Sequence, residues 1–282
     1  MITPQPRTDK LTITLIGCGN MGGAMIRGWL QANIIQQAYI YNHEPLADDL
    51  LSHGQIHFAP DFSALADHLN QSDLLILAIK PQGMADLMTD ISAHIPDALP
   101  VLSVAAGLSH AFFAAYIGAA HPFIRVMPNT PAAIGQGMSG AYATPSVSDD
   151  SKSAVNALLS AIGAYIWIND ETQMDAITAV SGSGPAYIFH FIEALTNAAK
   201  ALGFDDSSAT TLARQTVIGA ASLAAAQPDV DATTLRKNVT SPGGTTEAGL
   251  KVLMQNEQGN LEQLLTATVK AAEARGKALG KA

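Results

Sequence analysis

An apolar run, Leu11–Ile16, ends directly on Gly17-Cys18-Gly19-Asn20-Met21-Gly22, and a helical pattern follows over residues 21–32. No other feature limits the fold as strongly. Gly17 lets the chain turn tightly, Gly19 lets a pyrophosphate approach the backbone, and Gly22 lets the helix pack closely on the strand. The start of that helix offers unpaired N–H groups and a partial positive charge to phosphates. Strand, glycine turn and helix together predict a dinucleotide site at the head of a parallel β-sheet.

The alternation continues along the chain. Strand patterns are expected at residues 39–42, 56–58, 74–79, 101–105, 123–127, 140–143 and 165–168. Helices are expected near 45–52, 63–69, 84–93, 109–117 and 150–162. The near-continuous apolar run at 74–79 is typical of a parallel strand covered on both faces. This rhythm predicts a doubly wound parallel sheet with right-handed crossovers. Beyond Asn169 the β-branched runs give way to Ala-rich helical patterns at 186–202, 208–226, 233–237, 246–255 and 261–279. The expected fold class is therefore α/β, with residues 1–169 as a dinucleotide-binding domain and residues 170–282 as an all-α second domain. The 208–226 pattern has a single charge, Arg214. A helix apolar nearly all round needs burial on nearly all sides, and a helical domain this small predicts that a second copy of the chain supplies it, the alternative being a helix tucked under the first domain.

Composition removes several classes of function. Among 282 residues, 24 acidic side chains against 15 basic ones leave no basic stripe for a nucleic-acid backbone. The single cysteine, Cys18, excludes an intrachain disulfide framework and a multi-cysteine metal site, and fits a reducing, cytoplasmic setting. No metal is expected. Met1 to Lys10 is polar with Pro4 and Pro6, so no targeting segment is expected. Residues 98–124 carry no Asp, Glu, Lys or Arg, but Pro100, Gly107, Gly118 and Pro122 punctuate them. They read as strand, turn, helix and strand rather than as a membrane span.

At the end of the second strand stand Tyr41-Asn42-His43-Glu44. NAD sites usually place an acid there to accept from the ribose 2′-hydroxyl. Asn42 and His43 instead offer donors to a 2′-phosphate, which favours NADP, while Glu44 leaves NAD use open. A second segment, Val239-Thr240-Ser241-Pro242-Gly243-Gly244-Thr245-Thr246, leads into a helix. Its two glycines and three hydroxyls at a helix start form an anion cradle suited to a small carboxylate. A generic cap needs one hydroxyl. A third segment, Ser181-Gly182-Ser183-Gly184-Pro185, is a flexible turn with proline at a helix start.

These segments resemble the pyrroline-5-carboxylate reductase family. The resemblance is carried in order by GCGNMG at 17–22, LAIKPQ at 77–82, SVAAG at 103–107, RVMPNTPA at 125–132, VSGSGPAY at 180–187 and VTSPGGTTEAGL at 239–250. It implies reduction of the ring C=N of 1-pyrroline-5-carboxylate by NAD(P)H to L-proline, the last step of proline biosynthesis. It also implies a Rossmann-type first domain and a helical dimerisation domain, in a homodimer or a larger assembly of dimers. Position by position it implies that Gly17, Cys18, Gly19, Asn20, Met21 and Gly22 hold the pyrophosphate. Asn42, His43, Ala78, Ile79, Lys80 and Pro81 then line the cofactor, and Val104, Ala105 and Ala106 lie beside the nicotinamide. Asn238, Ser241, Thr245 and Thr246 face the nicotinamide end and the substrate, with Gly243 and Gly244 in the same turn. Two positions depart from the family pattern: Phe62 stands where an Asn is common, and His43 where Arg or Ser is common.

The implied mechanism gives the carboxylate to the 241–246 turn, through backbone N–H groups and Ser241, and the ring nitrogen to the Thr246 hydroxyl. A hydroxyl is too weak an acid for full proton donation at neutral pH, so positioning is its expected role. Other residues read more plainly. Cys18 lacks a base partner and reads as a small filler. His190, among Phe189, Phe191 and Ile192, reads as a partnered core histidine, and Glu171, ahead of the Ser181 turn, as a residue that caps or solvates a helix. Two alternatives stay open: a β-hydroxyacid dehydrogenase of similar plan, and a non-enzymatic NADP-binding module. The first is expected to place a lysine early in the first long helix of its second domain, where this chain has Lys200 only near the end.

Overall fold

Leu11–Ile16 forms β1, an interior strand of the sheet, and five of its six residues are buried. It pairs in parallel with β2 (Ile35–Tyr41) on one side and with β4 (Leu74–Leu77) on the other. The computed structural model describes residues 9–255 and 260–280. Eight strands order as β3-β2-β1-β4-β5-β6-β7-β8, with β3 at Ile56–Ala59, β5 at Val101–Ser103, β6 at Phe123–Met127, β7 at Gly137–Ala143 and β8 at Gly163–Trp167. The chain first winds outward to β3, then returns past β1 to β4 and winds the other way. Between β1 and β4 lies the topological switch point, where open α/β sheets bind ligands at the carboxyl ends of their strands.

One expectation is corrected. The sheet is not parallel throughout, because β7 runs antiparallel to β6. Only the short stretch 128–136 joins them, much of it the 3-10 turn Thr130–Ile134, and a parallel crossover needs a dozen residues or more. The next connection contains α6 (Asp149–Ile162), and β8 pairs in parallel with β7.

Helices cover both faces of the sheet. On one, α1 (Asn20–Gln31) and α6 pack Met25, Ile26, Trp29, Leu158 and Leu159 onto Leu11, Ile13 and Leu15. The Trp29 indole donates to the Leu158 carbonyl at 2.9 Å, which joins the two helices. On the other face, α3 (Leu65–Gln71), α4 (Met84–Ile91) and α5 (His110–Ile117) pack with Leu75, Leu77 and Phe123. The short α2 (Asp48–Leu51) follows β2. In α4 the buried residues Met84, Leu87, Met88 and Ile91 have the spacing of one helical face. Each fully buried side chain of this kind contributes roughly 1.5–3 kcal/mol. Residues 98–124, which carry no charge, resolve into β5, α5 and the start of β6, and no helix among the described residues is long and apolar enough to cross a membrane.

His121 is buried just before β6, and its Nε2 donates to the Leu99 carbonyl at 2.8 Å. Burial pushes its imidazole below the ordinary histidine value, and burial does the same to His68. A base depressed in the folded state contributes stability above its unfolded pKa of about 6.5 and loses it on acidification. The melting temperature should therefore fall between pH 7 and pH 5, and less steeply in His121→Gln. Parallel melting curves of the two proteins check this.

By contact density the segment Gly184–Ala271 forms one compact unit, and the rest of the described chain forms the other. The first unit also contains α7 (Met174–Ile177) and a π-helical turn, Thr178–Gly182. The second contains α8 (Gly184–Ala201), α9 (Asp206–Ala226), α10 (Ala232–Asn238), α11 (Thr245–Gln255) and the first turns of α12 (Leu261–Leu279). Asp205 and Asp231 cap α9 and α10, each accepting from a backbone amide at 2.9 Å. Of α9 only Ala209 and Ala213 are buried, and Leu212, Ile218 and Leu223 are almost half exposed. Among the described residues of one chain, α9 is covered along its Ala209 and Ala213 side, and these larger apolar side chains stay exposed. His190 corrects another expectation: its side chain is 82% exposed, outside any core, and pairs with Glu193 one turn away at 3.1 Å.

Candidate functional site

The glycine turn sits at the carboxyl end of β1, held by its neighbours on both sides. The Gly17 amide donates to the Tyr41 carbonyl at the end of β2, and the Ala78 amide donates to the Ile16 carbonyl. Gly17 has a φ of +93°, and a Cβ there would stand 2.7 Å from the Ala78 carbonyl oxygen. A Cβ at Gly22 would collide with the Gly17 carbonyl, so the strand–helix contact admits no side chain. Gly19 differs, since nothing lies within 4 Å of its Cβ position. It is also the N-cap of α1, with no side-chain cap and no acidic residue in the first turn of the helix. A helix start with no side-chain cap, and open space at its N-cap, suits a bound pyrophosphate.

Asn42 has a role the sequence did not disclose. Its Oδ1 accepts from the Cys18 amide at 2.9 Å, and its Nδ2 donates to the Glu44 carbonyl at 2.7 Å. The side chain therefore ties the glycine turn to the end of β2. Cys18 is half-buried, and burial raises its thiol above the usual range. Arg27 on α1 grips Asp49 through two nitrogens, at 2.5 and 2.9 Å. We expect Asn42→Ala to weaken cofactor binding about tenfold by freeing the turn, in line with about 1–1.5 kcal/mol for one lost hydrogen bond. Fluorescence titration of NADPH checks it.

Beside this turn lies a cleft of about 460 Å³. Gly17, Tyr41, Asn42, His43, Phe62, Ile79 and Lys80 line it from the ends of β1, β2, β3 and β4, and Asp86 and Asp90 line it from α4. Tyr41 and Phe62 stand with ring centroids 5.4 Å apart. Burial pushes the Tyr41 phenol up to about 12, with Asp61 and Asp67 adding to the shift. The cleft has the size and the aromatic wall of a nucleoside site. Lys80 is exposed and leads into the 3-10 turn Pro81–Gly83. Val104 follows β5, with its amide on the Leu77 carbonyl of β4 at 3.1 Å, and the Ala105 amide bonds to Ser103 Oγ. The structure thus gathers 17–22, 42–43, 78–81 and 104–106 at the carboxyl ends of four strands flanking the switch point.

In the second unit, Asn238 ends α10, and the 241–244 turn leads into α11, headed by Thr245 and Thr246. Gly243 has a φ of +72°. Its amide donates to Glu247 Oε2 at 2.7 Å, and the Gly244 amide donates to the Ser241 carbonyl at 3.0 Å. Both glycine amides are thereby engaged within the turn, and an anion here would meet the first-turn amides of the helix and the exposed hydroxyls of Ser241, Thr245 and Thr246.

Two buried polar contacts in the first unit had no signal in the sequence beyond residue type. Asn129 bridges the Met138 amide of β7 and the Ser181 carbonyl of the π-helical turn, at 2.8 and 2.9 Å. Glu171 accepts from Arg125 at 3.1 Å and from the His110 amide that opens α5 at 2.7 Å. It caps the distant helix α5 rather than the helix that follows it in sequence, and also neutralises a buried arginine.

A switch-point crevice built for a dinucleotide, followed by a separate helical unit, is the plan of a two-domain nicotinamide-dependent oxidoreductase. Comparison with known proteins narrows the class. Residues 12–107 match the family described as NADP oxidoreductase, coenzyme F420-dependent, and residues 171–279 match pyrroline-5-carboxylate reductase dimerisation. The pyrroline-5-carboxylate reductase of Pseudomonas aeruginosa is 38% identical over 95% of this chain and 97% of its own. A solved reductase of the same name from Coxiella burnetii superposes with a TM-score of 0.88 at 34% identity, covering 97% of this chain and all of the other. The Plasmodium falciparum pyrroline carboxylate reductase, solved with NADP bound, matches at a TM-score of 0.80 and 27% identity, over 97% of this chain and all of that one. The chain belongs to the pyrroline-5-carboxylate reductase family.

Proposed function

We propose that this protein reduces the ring C=N bond of 1-pyrroline-5-carboxylate to give L-proline, with NADPH as the preferred reductant and NADH as a second one. The observation that carries the reading is the Ser241–Thr246 turn, an anion-binding bend at the head of α11, in a chain whose sheet builds a dinucleotide cradle. NADPH, when bound, supplies a hydride from C4 of its nicotinamide. The protein's own part is to hold and orient. Amides at the start of α1 bind the pyrophosphate, the Tyr41–Phe62 cleft takes the adenosine, and residues 104–106 border the nicotinamide.

The turn in the second unit receives the substrate carboxylate through Ser241 and the first amides of α11, and the Thr246 hydroxyl hydrogen-bonds the ring nitrogen. Hydride addition to a protonated imine needs no strong acid, so alignment of the two carbons is the main requirement. No carboxylate is asked to donate a proton. Asn238, at the end of α10, is assigned to the nicotinamide end of the cofactor. The sole lysine of α8, Lys200, stands one residue from the end of that helix, which supports an imine reductase over a hydroxyacid dehydrogenase that relies on an early lysine. The working form is a homodimer or an assembly of dimers in the cytoplasm, supported by the dimerisation match and the single cysteine.

The test follows reduced-cofactor absorbance with purified protein in two arms: oxidation of NADPH or NADH by pyrroline-5-carboxylate, and reduction of NADP+ or NAD+ by a β-hydroxyacid. Turnover with the imine alone supports the reading. Turnover with the hydroxyacid, or cofactor binding without any turnover, overturns it.

A further inference from the structure

We propose that the choice between NADPH and NADH is governed by the ionisation of His43, so that the preference for NADPH is strong in mild acid and decays as the pH rises. The inference rests on the reading above, in which the 460 Å³ cleft receives the adenosine half of the cofactor. Two basic side chains line that cleft, the imidazole of His43 after β2 and the ammonium of Lys80 after β4. Facing them are two carboxylates, Asp86 and Asp90, one turn apart on α4. The core-facing stripe of α4 is occupied by Met84, Leu87, Met88 and Ile91, which leaves the aspartates on the side that borders the cleft.

The remaining charged groups nearby do not change the balance in favour of an anion. Glu44 follows His43 and is exposed, and the Asp61 carboxylate accepts from the Ser63 amide. The Tyr41 phenol, pushed up to about 12, stays neutral through the physiological range. Arg27 is engaged by Asp49. Asn42, whose sequence position suggested a phosphate donor, is committed to Cys18 and Glu44. With neutral His43, the cleft lining carries one cation against two carboxylates, and protonation of His43 makes the lining balanced.

A 2′-phosphate brings a charge of about −1.5 to −2 at neutral pH, whereas the ribose hydroxyl of NADH brings none. The proton on His43 therefore matters to one cofactor and not to the other. Histidine is the side chain whose charge changes between about pH 5 and 8. A phosphate bound beside it stabilises its protonated form, so by linkage the gain is full in acid and lost as pH rises through the bound-state titration. The second ionisation of the phosphate, near pH ~6, acts in the opposite direction and is largely complete by neutrality. The loss should therefore dominate above about pH 7.

The experiment measures dissociation constants of NADPH and NADH by fluorescence titration without substrate, from pH 6.5 to 8.5, for wild type, His43→Asn and Asp86→Asn. In wild type the ratio of NADH to NADPH dissociation constants should fall about five- to tenfold across that range. In His43→Asn it should stay level or rise slightly. In Asp86→Asn it should be about threefold higher at every pH with the wild-type slope, because a like charge is removed. A wild-type ratio that does not change with pH, or a His43→Asn slope equal to that of wild type, overturns the inference. If neither cofactor binds at any pH, the dinucleotide reading itself fails, and this inference with it. If both bind at a fixed ratio, only the inference falls.

Discussion

Gly19→Val is expected to leave the fold unchanged and to weaken binding of either cofactor on the order of a hundredfold. The first half follows from open space: no atom lies within 4 Å of a Cβ at this position, and φ is −74°, which any residue adopts. The second half follows from what that space is for. A valine would stand over the first amides of α1, where the pyrophosphate has to come within hydrogen-bond distance. Losing one or two hydrogen bonds to a charged group costs about 1.5–3 kcal/mol each, and about 2.7 kcal/mol is a factor of a hundred in affinity. Gly17 and Gly22 make poorer probes, because a side chain there meets the Ala78 and Gly17 carbonyls and would disturb the strand–helix turn itself. Equal melting temperatures, together with lost cofactor binding, are the expected pair of results. Retained binding would place the dinucleotide elsewhere.

Thr246→Ala is expected to lower kcat by on the order of ten- to a hundredfold, the range of one hydrogen bond to a charged ring nitrogen. The dissociation constant of NADPH should stay within about twofold of wild type, because the hydroxyl is assigned to the substrate and not to the pyrophosphate. Thr246 is also the second residue of α11, so a purely structural role has to be separated from a chemical one. Thr246→Ser keeps the hydroxyl and should recover most of the rate. A helix-start role would instead appear as a lower melting temperature with little change in kcat. Wild-type turnover in the alanine variant would remove Thr246 from the reaction.

Much of the first unit was legible in the sequence because its signals are local. Leu11–Ile16 and Phe123–Met127 are mostly apolar or β-branched stretches that stop at Gly17 and Pro128, and both strands appear with those ends. The glycine turn was readable because each glycine answers a separate steric demand. Strand direction is not local. The antiparallel β6–β7 pair shows only in the shortness of the 128–136 connection, which periodicity does not report. β2 begins at Ile35, four residues before its expected start, because Gln36 and Gln37 hide a strand near the sheet edge. His190 was misplaced for a physical reason: its neighbours Phe189 and Phe191 are themselves exposed in the single chain, so apolar neighbours did not mark a core. A domain whose apolar surface exceeds what it can cover alone breaks the rule that apolar means inside. Asn42 shows the limit at the site. Its position at the strand end suggested contact with the phosphate, but in the folded chain its amide turns back to Cys18 and Glu44.

The central claim is direct hydride delivery from a dinucleotide on the sheet to a cyclic imine. It is tested most directly with NADPH deuterated at C4, supplied in each stereospecific form with unlabelled pyrroline-5-carboxylate in ordinary water. The account predicts L-proline with one deuterium at the ring carbon next to nitrogen, from one of the two forms only. Proline without deuterium from either form, or no proline at all, would contradict it.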